Sequence, residues 1–307
     1  MADQPKLIAI AGDIGGGKST VGRLLSSQLG FELISTGAIQ RRIAAAQGKT
    51  SLELNVAAEA DPAVDRQIDN YLIGIGETGD SLVIESRMAW HFVKAALKVY
   101  LFCLTEKAAE RIWVENRPDE VYSSVAEAVD KTIRRRASEV SRFKKLYDVD
   151  IENIRNYDIL VDTTYVAPAD VAARIRQRVQ HLQRPFAWVS PRTLIPTQSI
   201  KSLDAASVAS MADAMRGTDF DAKHPITAVF VGRKFYIHDG HARVAAAFKA
   251  GVTSVPAIVV GVDDEPFVAG STARDYLRET LKKSWISDWQ DANQFQYDFD
   301  WGAGGLR

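Results

Sequence analysis

The sequence lacks most of the features that mark secreted, membrane-spanning or polyanion-binding proteins. It has one cysteine and a formal net charge of −1, so a disulfide framework within the chain is excluded and no overall attraction to nucleic acid or anionic lipid is expected. It has no run of about 18 apolar residues, and its start, MADQPKLIAIAG, has no secretory signal pattern. These absences predict a cytoplasmic protein with no membrane segment. Cys103, inside VYLFCLT, is predicted to be a small buried apolar residue.

The composition and length predict two folded domains. Apolar residues make up 46% and charged residues 25% of the 307 residues, as in ordinary globular proteins, and this length favours more than one domain. Pro185, Pro191 and Pro196 follow a helix-like segment, and proline discourages helix at the residue before it. We therefore predict a boundary near Gln183, with domains at 1–183 and 184–284 and an aromatic, acidic tail at 285–307.

The first domain carries a complete phosphate-binding loop. Apolar runs at 6–11, 31–35, 81–85, 98–104 and 157–162 alternate with helix-like segments, which predicts an α/β fold with a five-stranded parallel sheet. The first run leads into GDIGGGKST, residues 12–20, which fits G-x-x-x-x-G-K-[ST]. In such a loop the Lys18 ammonium reaches the β and γ phosphates of a nucleoside triphosphate and the Ser19 hydroxyl holds Mg²⁺. The predicted nucleotide contacts are Gly12, Gly15, Gly16, Gly17, Lys18, Ser19 and Thr20.

Three later segments supply charges that a second, anionic substrate requires. STGAIQRR contains Arg41, IESRMAW contains Arg87, and TIRRRASEVSRFKKLYDVD contains Arg135 and Arg142. The last two are seven residues apart, which places them about two turns apart on one helix face. Taken alone, this basic run favours a solvated helix surface.

Taken in order, these motifs resemble the cytidylate kinase family, particularly its archaeal-type branch, over about 7–179. The motifs are the phosphate loop, ISTGAIQRR, DPAVDRQIDNYL, IESRMAW and RRASEVSRFKKLYDVDIENIRNYDILVDTT. The resemblance implies a nucleoside monophosphate kinase fold with a mobile lid that uses ATP and Mg²⁺ to phosphorylate CMP or dCMP. It implies that Lys18, Arg87, Arg135 and Arg142 are catalytic and that Thr36, Arg41, Asp69 and Arg87 bind the acceptor.

Two departures from the family pattern fall at the acceptor. Gln40 stands where the family commonly has an aromatic residue, and Ser86 stands where it commonly has glycine. The phosphoryl chemistry is therefore better defined than the acceptor. For Asp69, a solvated helix carboxylate is the alternative interpretation.

The second domain contains another turn that favours anions. The pattern predicts helices at 205–216, 241–249 and 271–283 and strands at 226–231, 234–238 and 255–260. In YIHDGHAR, Asp239 can cap the helix that follows Gly240, while His241 and Arg243 lie near its positive end. In the alternative interpretation, Asp239 is only a cap and His241 is a solvated or core-edge histidine.

Residues of about 189–260 resemble the ParB and sulfiredoxin-like superfamily. The resemblance rests on LIPTQS, HPITAVFV, YIHDGHARVAAAFKAG and VTSVPAIVV. It implies a smaller α+β domain with a second anion site at Asp239, Gly240, His241 and Arg243. The turn has no cysteine, which excludes the sulfiredoxin reaction.

Three functions remain open from the sequence. The first is an ATP-dependent kinase whose partner is a small-molecule phosphate acceptor, a nucleotide. The second is a kinase of a non-nucleotide acceptor such as free serine, and the third is a DNA-associated ParB-like ATPase. The near-neutral charge and the mixture of aromatic and acidic residues in WISDWQDANQFQYDFDWG disfavour nucleic acid as a partner. The oligomeric state stays open.

Overall fold

The computed structural model describes residues 5–46, 48, 63–115, 122–177, 185–217, 224–268 and 270–299, with backbone alone for 41–45, 63 and 64. The chain divides into two compact units, Met1–Gln177 and Arg178–Arg307. The boundary predicted near Gln183 lies outside the described residues. Among the helices of the described part, none combines the length and apolar character needed to cross a bilayer.

The first unit is an α/β domain built on a parallel sheet. Its described strands are β1 (Leu7–Gly12), β2 (Glu32–Ser35), β3 (Leu82–Glu85), β4 (Leu97–Phe102) and β5 (Ile159–Asp162). Its described helices are α1 (Lys18–Leu29), α2 (Thr36–Ala46), α3 (Ala63–Ile75), α4 (Ala89–Phe92), α5 (Thr105–Glu115), α6 (Val125–Tyr147) and α7 (Pro168–Arg176). The strand order is β2-β3-β1-β4-β5, and every neighbouring pair is parallel. The predicted five-stranded parallel sheet is confirmed.

The core of the first unit brings the carboxyl ends of its strands to the phosphate loop. All six residues of β1, LIAIAG, are buried, because a parallel sheet is covered by helices on both faces. Helix α3 packs Ile68 and Leu72 against this sheet, so its inward face also carries the residues one turn away. Cys103 is buried as predicted, and burial raises the pKa of its thiol to about 12.

The second unit is an α+β domain with a mixed sheet. Its described strands are β6 (Phe186–Val189), β7 (Leu194–Ile195), β8 (Ile226–Val231), β9 (Lys234–Asp239), β10 (Val255–Val262), β11 (Pro266–Val268) and β12 (Ser271–Thr272). Its described helices are α8 (Ala205–Met215), α9 (His241–Ala250), α10 (Ala273–Thr280) and α11 (Lys283–Asn293). The main sheet has the order β6-β10-β8-β9-β7. The predicted smaller α+β domain is confirmed.

The predicted strands at 226–231 and 234–238 are β8 and β9, and a two-residue hairpin joins them. Gly232 and Arg233 both have positive φ, of 55° and 59°, which is the geometry of a two-residue hairpin turn. The two strands pair antiparallel.

The C-terminal part of the second unit differs from the predicted single helix at 271–283. Thr272 forms a capping box with Asp275 and starts α10, which ends at Thr280. Leu281 is extended and buried, and this break separates α10 from α11. Helix α11 carries the first part of the predicted tail, and its Trp289 is buried with Nε1 donating to the Gln198 carbonyl oxygen at 2.9 Å.

Candidate active site

The loop between β1 and α1 has the backbone that an anion cradle requires. Gly12 has a φ of 139°, and a Cβ there would lie 2.3 Å from the Leu101 carbonyl oxygen. Gly15 has a φ of 72°, and its Cβ would lie 2.7 Å from the Ala108 carbonyl oxygen. Both positions combine a left-handed φ with no room for a side chain, so only glycine fits. The loop ends at the N-terminus of α1, where free backbone N–H groups favour an anion.

Lys18 lies inside this loop. Its ammonium donates to the carbonyl oxygens of Gly12 at 3.1 Å and Asp13 at 2.6 Å. Burial lowers the pKa of Lys18 to about 7, and the charge of the nearby Arg87 adds to that effect. A phosphate bound in the loop would favour the charged ammonium. Lys18 is therefore placed to take up a proton together with a phosphate group.

Ser19 and Glu85 bring two hard oxygen ligands to the side of the loop. Ser19 stands in the first turn of α1, Glu85 ends β3, and Ser19 Oγ donates to Glu85 Oε1 at 2.7 Å. Mg²⁺ that accompanies a nucleotide takes one or two carboxylate or hydroxyl oxygens besides phosphate and water. This donor set fits the Mg²⁺ site predicted at Ser19. Glu85 joins it as a residue that the sequence had not assigned to the metal.

Two of the predicted catalytic arginines converge on one carboxylate, Glu139 of α6. Arg87 Nε donates to Glu139 Oε2 at 2.7 Å, and Arg135 Nε donates to Glu139 Oε1 at 3.3 Å. Arg87 also donates to the Gly12 carbonyl oxygen. Burial alone would raise the pKa of Glu139, but the charges of Arg87 and Arg135 outweigh burial and hold that pKa at about 2. The ionised Glu139 thus keeps both guanidinium groups next to the phosphate loop.

Arg142 lies in a different part of the same helix. Its guanidinium carbon is 4.8 Å from the centroid of the Phe143 ring, and its charge lowers the pKa of Asp65 against the larger effect of burial. The sequence placed Arg135 and Arg142 together at the transferring phosphoryl group. Both line one cleft, but Arg135 shares Glu139 with Arg87, whereas the charge of Arg142 acts on a carboxyl group of α3. The two arginines therefore have different surroundings.

Three of the four predicted acceptor residues, Thr36, Arg41 and Asp69, lie on two helices. Thr36 is buried at the start of α2, and its hydroxyl donates to the Glu85 backbone carbonyl oxygen at 3.3 Å. The Tyr147 hydroxyl donates to Asp69 Oδ2 at 2.6 Å. Burial is the main cause that raises the pKa of Asp69, and this hydrogen bond opposes it. The side chain of Arg41 lies outside the described residues.

These groups surround one cleft of about 880 Å³, a volume typical of small-molecule sites. Gly12 instead lines a small cavity of about 20 Å³ under the loop. The predicted site residues that line the larger cleft are Gly15, Gly16, Gly17, Lys18, Ser19, Thr20, Thr36, Asp69, Arg87, Arg135 and Arg142.

A buried charge cluster under the loop was not predicted. Asp13, which is 3% exposed, accepts hydrogen bonds from the Tyr100 hydroxyl at 2.8 Å, the Cys103 backbone N–H at 2.8 Å and Arg136 at 3.1 Å. Arg136 follows Arg135 but points elsewhere, since successive residues of a helix are about 100° apart. An acidic residue inside an anion-binding loop needs its own donors. The presence of Asp13 in the phosphate-loop motif was therefore the sequence signal from which buried donors under the loop could have been expected.

The turn at Gly240 in the second unit differs from the prediction in the role of Asp239. Gly240 is the N-cap of α9, and no side chain caps this helix. The Asp239 carboxylate instead accepts from Arg243 Nη2 at 3.0 Å. Arg243 Nη1 donates to the carbonyl oxygens of His224 and Pro225 at 2.9 and 2.7 Å. The prediction that Asp239 caps the helix is wrong, because a charged donor four residues later takes that carboxylate.

His241 lies in the interior of the second unit. It is 6% exposed, and its Nε2 atom accepts from the Thr197 backbone N–H at 3.1 Å. Burial lowers the pKa of His241 to about 4, so the ring is neutral near pH 7. A neutral ring with an occupied nitrogen offers no charge to an anion. The geometry agrees with the core-edge interpretation of His241, whereas Asp239, Gly240 and Arg243 lie together at the turn.

Comparisons with known proteins divide the chain in a similar way. The model for the cytidylate kinase-like family matches residues 7–165, and the model for the ParB N-terminal domain matches residues 177–273. Both resemblances predicted from the motifs are confirmed.

Curated relatives match a little more than half of the chain's length. The cytidylate kinase of Methanococcoides burtonii is 34% identical over 158 residues, which cover 52% of this chain and 87% of that protein. The cytidylate kinase of Natronomonas pharaonis is 38% identical over 175 residues, which cover 56% of this chain and 88% of that protein. An S-adenosylmethionine-dependent nucleotide dehydratase of Lacinutrix mariniflava is 36% identical over 182 residues, 59% of this chain but only 36% of that protein.

Proposed function

From the premise that the chain belongs to the cytidylate kinase-like family and is a kinase, we propose that it transfers the γ-phosphate of ATP to CMP or dCMP. The observation that carries the proposal is the division of the cleft. Lys18, Arg87 and Arg135 surround the phosphate loop, whereas Asp65 and Asp69 of α3 lie with aromatic side chains on another part of its wall. A nucleoside monophosphate has the same division, with a phosphate at one end and a neutral ring at the other.

In this proposal the phosphate loop holds the donor nucleotide. Backbone N–H groups of the loop and the N-terminus of α1 bind the phosphate oxygens, and Lys18 reaches the β and γ phosphates. Ser19 and Glu85 would hold Mg²⁺ beside the loop, where the ion would supply positive charge to the phosphates. The pairing of Ser19 with Glu85 at 2.7 Å supports this assignment, because it brings both oxygens to one point.

The arginine pair acts on the group in transfer. An oxygen of the acceptor phosphate forms a bond to the γ-phosphorus while the bond from that phosphorus to the β–γ bridging oxygen breaks, and ADP leaves. No protein nucleophile is required, so positioning and charge neutralisation carry the catalysis. Arg87 and Arg135 are placed for this by Glu139, which receives a hydrogen bond from each. Thr36, Arg41 and Asp69 remain proposed acceptor residues.

We place the phosphoryl chemistry in the first unit alone. In the second unit Asp239 pairs with Arg243 and His241 is turned inward. Arg243 already donates to two carbonyl oxygens and a carboxylate. The ParB-like unit is therefore proposed as an accessory domain, and an anion site in it as a separate hypothesis.

An acceptor panel tests this proposal. ADP release by the full chain is measured with ATP, Mg²⁺ and, in turn, CMP, dCMP, UMP, AMP and free serine. The proposal expects release with CMP and dCMP well above the rate without acceptor. Release with serine but with none of the nucleotides would replace it by a kinase of a small alcohol. Binding of a DNA duplex at low salt, without acceptor-dependent release, would favour the DNA-associated ATPase.

A further inference from the structure

The phosphate loop contains an acidic residue whose charge, by itself, opposes the binding of a nucleotide. Asp13 lies between Gly12 and Gly15, and its backbone carbonyl oxygen accepts from the Lys18 ammonium at 2.6 Å. The charge of the Asp13 carboxylate is one of those that act on Lys18. A negative charge that reaches Lys18 also raises the energy of a phosphate bound beside that lysine. The loop therefore needs a positive charge that offsets Asp13.

Arg136 of α6 brings such a charge to Asp13. Its Nη2 atom donates to Asp13 Oδ1 at 3.1 Å, and its Nη1 atom donates to Thr105 Oγ1 at 3.2 Å. The side chains of Arg136 and Asp13 are 14% and 1% exposed, so solvent screens their interaction only weakly. Since Thr105 begins α5, one guanidinium group connects the loop, α5 and α6.

Neither residue of this pair is placed to contact a nucleotide. Both line the cavity of about 20 Å³ under the loop, which has room for about one water molecule. The lining of the cleft of about 880 Å³ includes Arg135 but neither Asp13 nor Arg136. An effect of Arg136 on a bound triphosphate would therefore act through the charge of Asp13.

Two other arginines near the loop are held by other groups. Arg87 also lines the small cavity, but its Nε atom donates to Glu139 Oε2 at 2.7 Å. The Arg111 guanidinium donates to the Thr163 backbone carbonyl oxygen at 2.6 Å. Neither guanidinium could replace the one on α6 beside Asp13 without giving up these bonds.

A second carboxylate shares Arg136. Glu152 Oε1 lies 3.6 Å from Arg136 Nε, and the side chain of Glu152 is 30% exposed. Solvent therefore screens the charge of Glu152 more than that of the buried Asp13. Loss of Arg136 would leave both carboxylates without this guanidinium, and the charge of Asp13 would have the larger effect on the loop.

We propose that Arg136 is a positioning residue for the donor nucleotide, which keeps the phosphate loop able to bind a triphosphate by offsetting the buried charge of Asp13. This inference rests on the proposed function, in which the loop holds ATP. It adds a residue outside the cleft on which donor binding depends. Because Arg136 belongs to α6, the loop has its full affinity only while α6 keeps this contact.

Three variants test the proposal, because the two single substitutions should have different effects. Arg136→Met removes the cation, Asp13→Asn removes the charge that it offsets, and the double variant removes both. The Kd of ATP with Mg²⁺ is measured by calorimetry on the folded full chain, below the unfolding temperature of each variant. We expect this Kd to rise about tenfold or more in Arg136→Met and not to rise in Asp13→Asn. In the double variant it should return to within about threefold of the parent.

Arg134→Met is the matched control, since it also removes a cation from α6. The side chain of Arg134 is 78% exposed and pairs with Asp130. Its loss should leave the Kd of ATP at the parental value, because an exposed charge is screened by solvent and salt. A rise equal to that of Arg136→Met would show that net charge alone matters and would overturn the proposal.

Steady-state kinetics separate an electrostatic role from damage to α6. In Arg136→Met, KM for ATP should rise together with the Kd, whereas KM for CMP and kcat at saturating ATP should change by less than about twofold. A distorted α6 would instead lower kcat and raise KM for CMP, because Arg135 and Arg142 lie on the same helix. That result would overturn the proposal.

The remaining outcomes separate this inference from the proposed function. If Asp13→Asn weakens ATP binding as much as Arg136→Met does, or the double variant binds no better than Arg136→Met, the pair is only structural and the kinase assignment stands. Should Arg136→Met be unfolded, Asp13→Asn and the double variant decide, and weaker binding by either overturns the proposal. If the parent binds ATP but phosphorylates no nucleotide, the proposed function fails and the variants still test the role of Arg136. If the parent does not bind ATP, both proposals fail.

Discussion

Replacement of Arg136 by methionine removes the buried charge pair under the phosphate loop, together with the longer contact of Arg136 Nε to Glu152 Oε1 at 3.6 Å. In the parent, the guanidinium of Arg136 donates to Asp13 Oδ1 at 3.1 Å and to Thr105 Oγ1 at 3.2 Å. The side chains of Arg136 and Asp13 are 14% and 1% exposed. Methionine keeps much of the apolar length of arginine but has no donor and no charge. The variant therefore removes the guanidinium of Arg136 from the buried Asp13 carboxylate.

The expected loss of stability follows from that burial. Removal of one partner of a buried ion pair costs about 3–5 kcal/mol, because the remaining charge is uncompensated. The lower end applies here, since Asp13 still accepts from the Tyr100 hydroxyl and the Cys103 N–H. In a domain of this size each kcal/mol lowers Tm by about 2–4 °C. A loss of about 3 kcal/mol therefore corresponds to a Tm about 6–12 °C lower.

Thermal unfolding of the full chain, followed by circular dichroism, measures this shift. Arg134→Met is the matched control, because Arg134 lies two residues earlier on α6, has a side chain 78% exposed and pairs only at the surface with Asp130. The control should change the free energy of unfolding by less than about 0.5 kcal/mol. Equal Tm values for Arg136→Met and Arg134→Met would refute the assignment of a stabilising ion pair to Asp13 and Arg136.

Two further predictions concern the loop lysine and the second unit. Lys18, with a pKa of about 7, is mostly neutral at about pH 8, so ATP binding there should take up close to one proton and weaken as the pH rises. Calorimetry in buffers of different ionisation enthalpy measures this proton uptake. The uptake should vanish in Lys18→Met. Binding heats of the parent that do not depend on the buffer would contradict the prediction. Gly240→Ala should destabilise the second unit by about 1–3 kcal/mol more than Gly251→Ala. Both glycines have positive φ, but only at Gly240 would the Cβ lie 2.6 Å from Ile226 Cγ2, and equal denaturant midpoints would count against this packing.

The sequence correctly predicts the features that local residue patterns indicate. The alternation of apolar runs and helices predicts the parallel sheet, and the spacing of Gly12, Gly17 and Lys18 predicts the phosphate loop. The turn at Gly232 and Arg233 is a short-range signal of the same kind. Each of these is indicated by a few adjacent residues and by rules of backbone conformation.

The features that could not be predicted depend on contacts between distant segments. Asp13 and Arg136 are 123 residues apart, and no local pattern shows that this arginine, unlike Arg135, turns under the loop. The helical period places Arg135 and Arg142 on one face, but it does not show that α6 runs past two different parts of the cleft.

His241 illustrates the same limit in the second unit. The sequence shows a histidine at a helix N-terminus, where an anion is favoured. The residue that decides its role is Thr197, whose backbone N–H occupies Nε2 from 44 positions earlier in the chain. Helix α11 adds Trp289, whose ring centroid lies 6.3 Å from that of His241. Burial by these segments converts a surface histidine into an interior one.

The central claim is that the first unit moves a phosphoryl group from ATP to a pyrimidine nucleotide, and the fate of the γ-phosphate tests it most directly. The full chain is incubated with γ-³²P-ATP, Mg²⁺ and CMP, and the nucleotides are separated. We expect label to appear in CDP in an amount equal to the ADP formed, and we expect none from Lys18→Ala that is folded by circular dichroism. Label found only in inorganic phosphate, or equal labelling of CDP by Lys18→Ala, would contradict it.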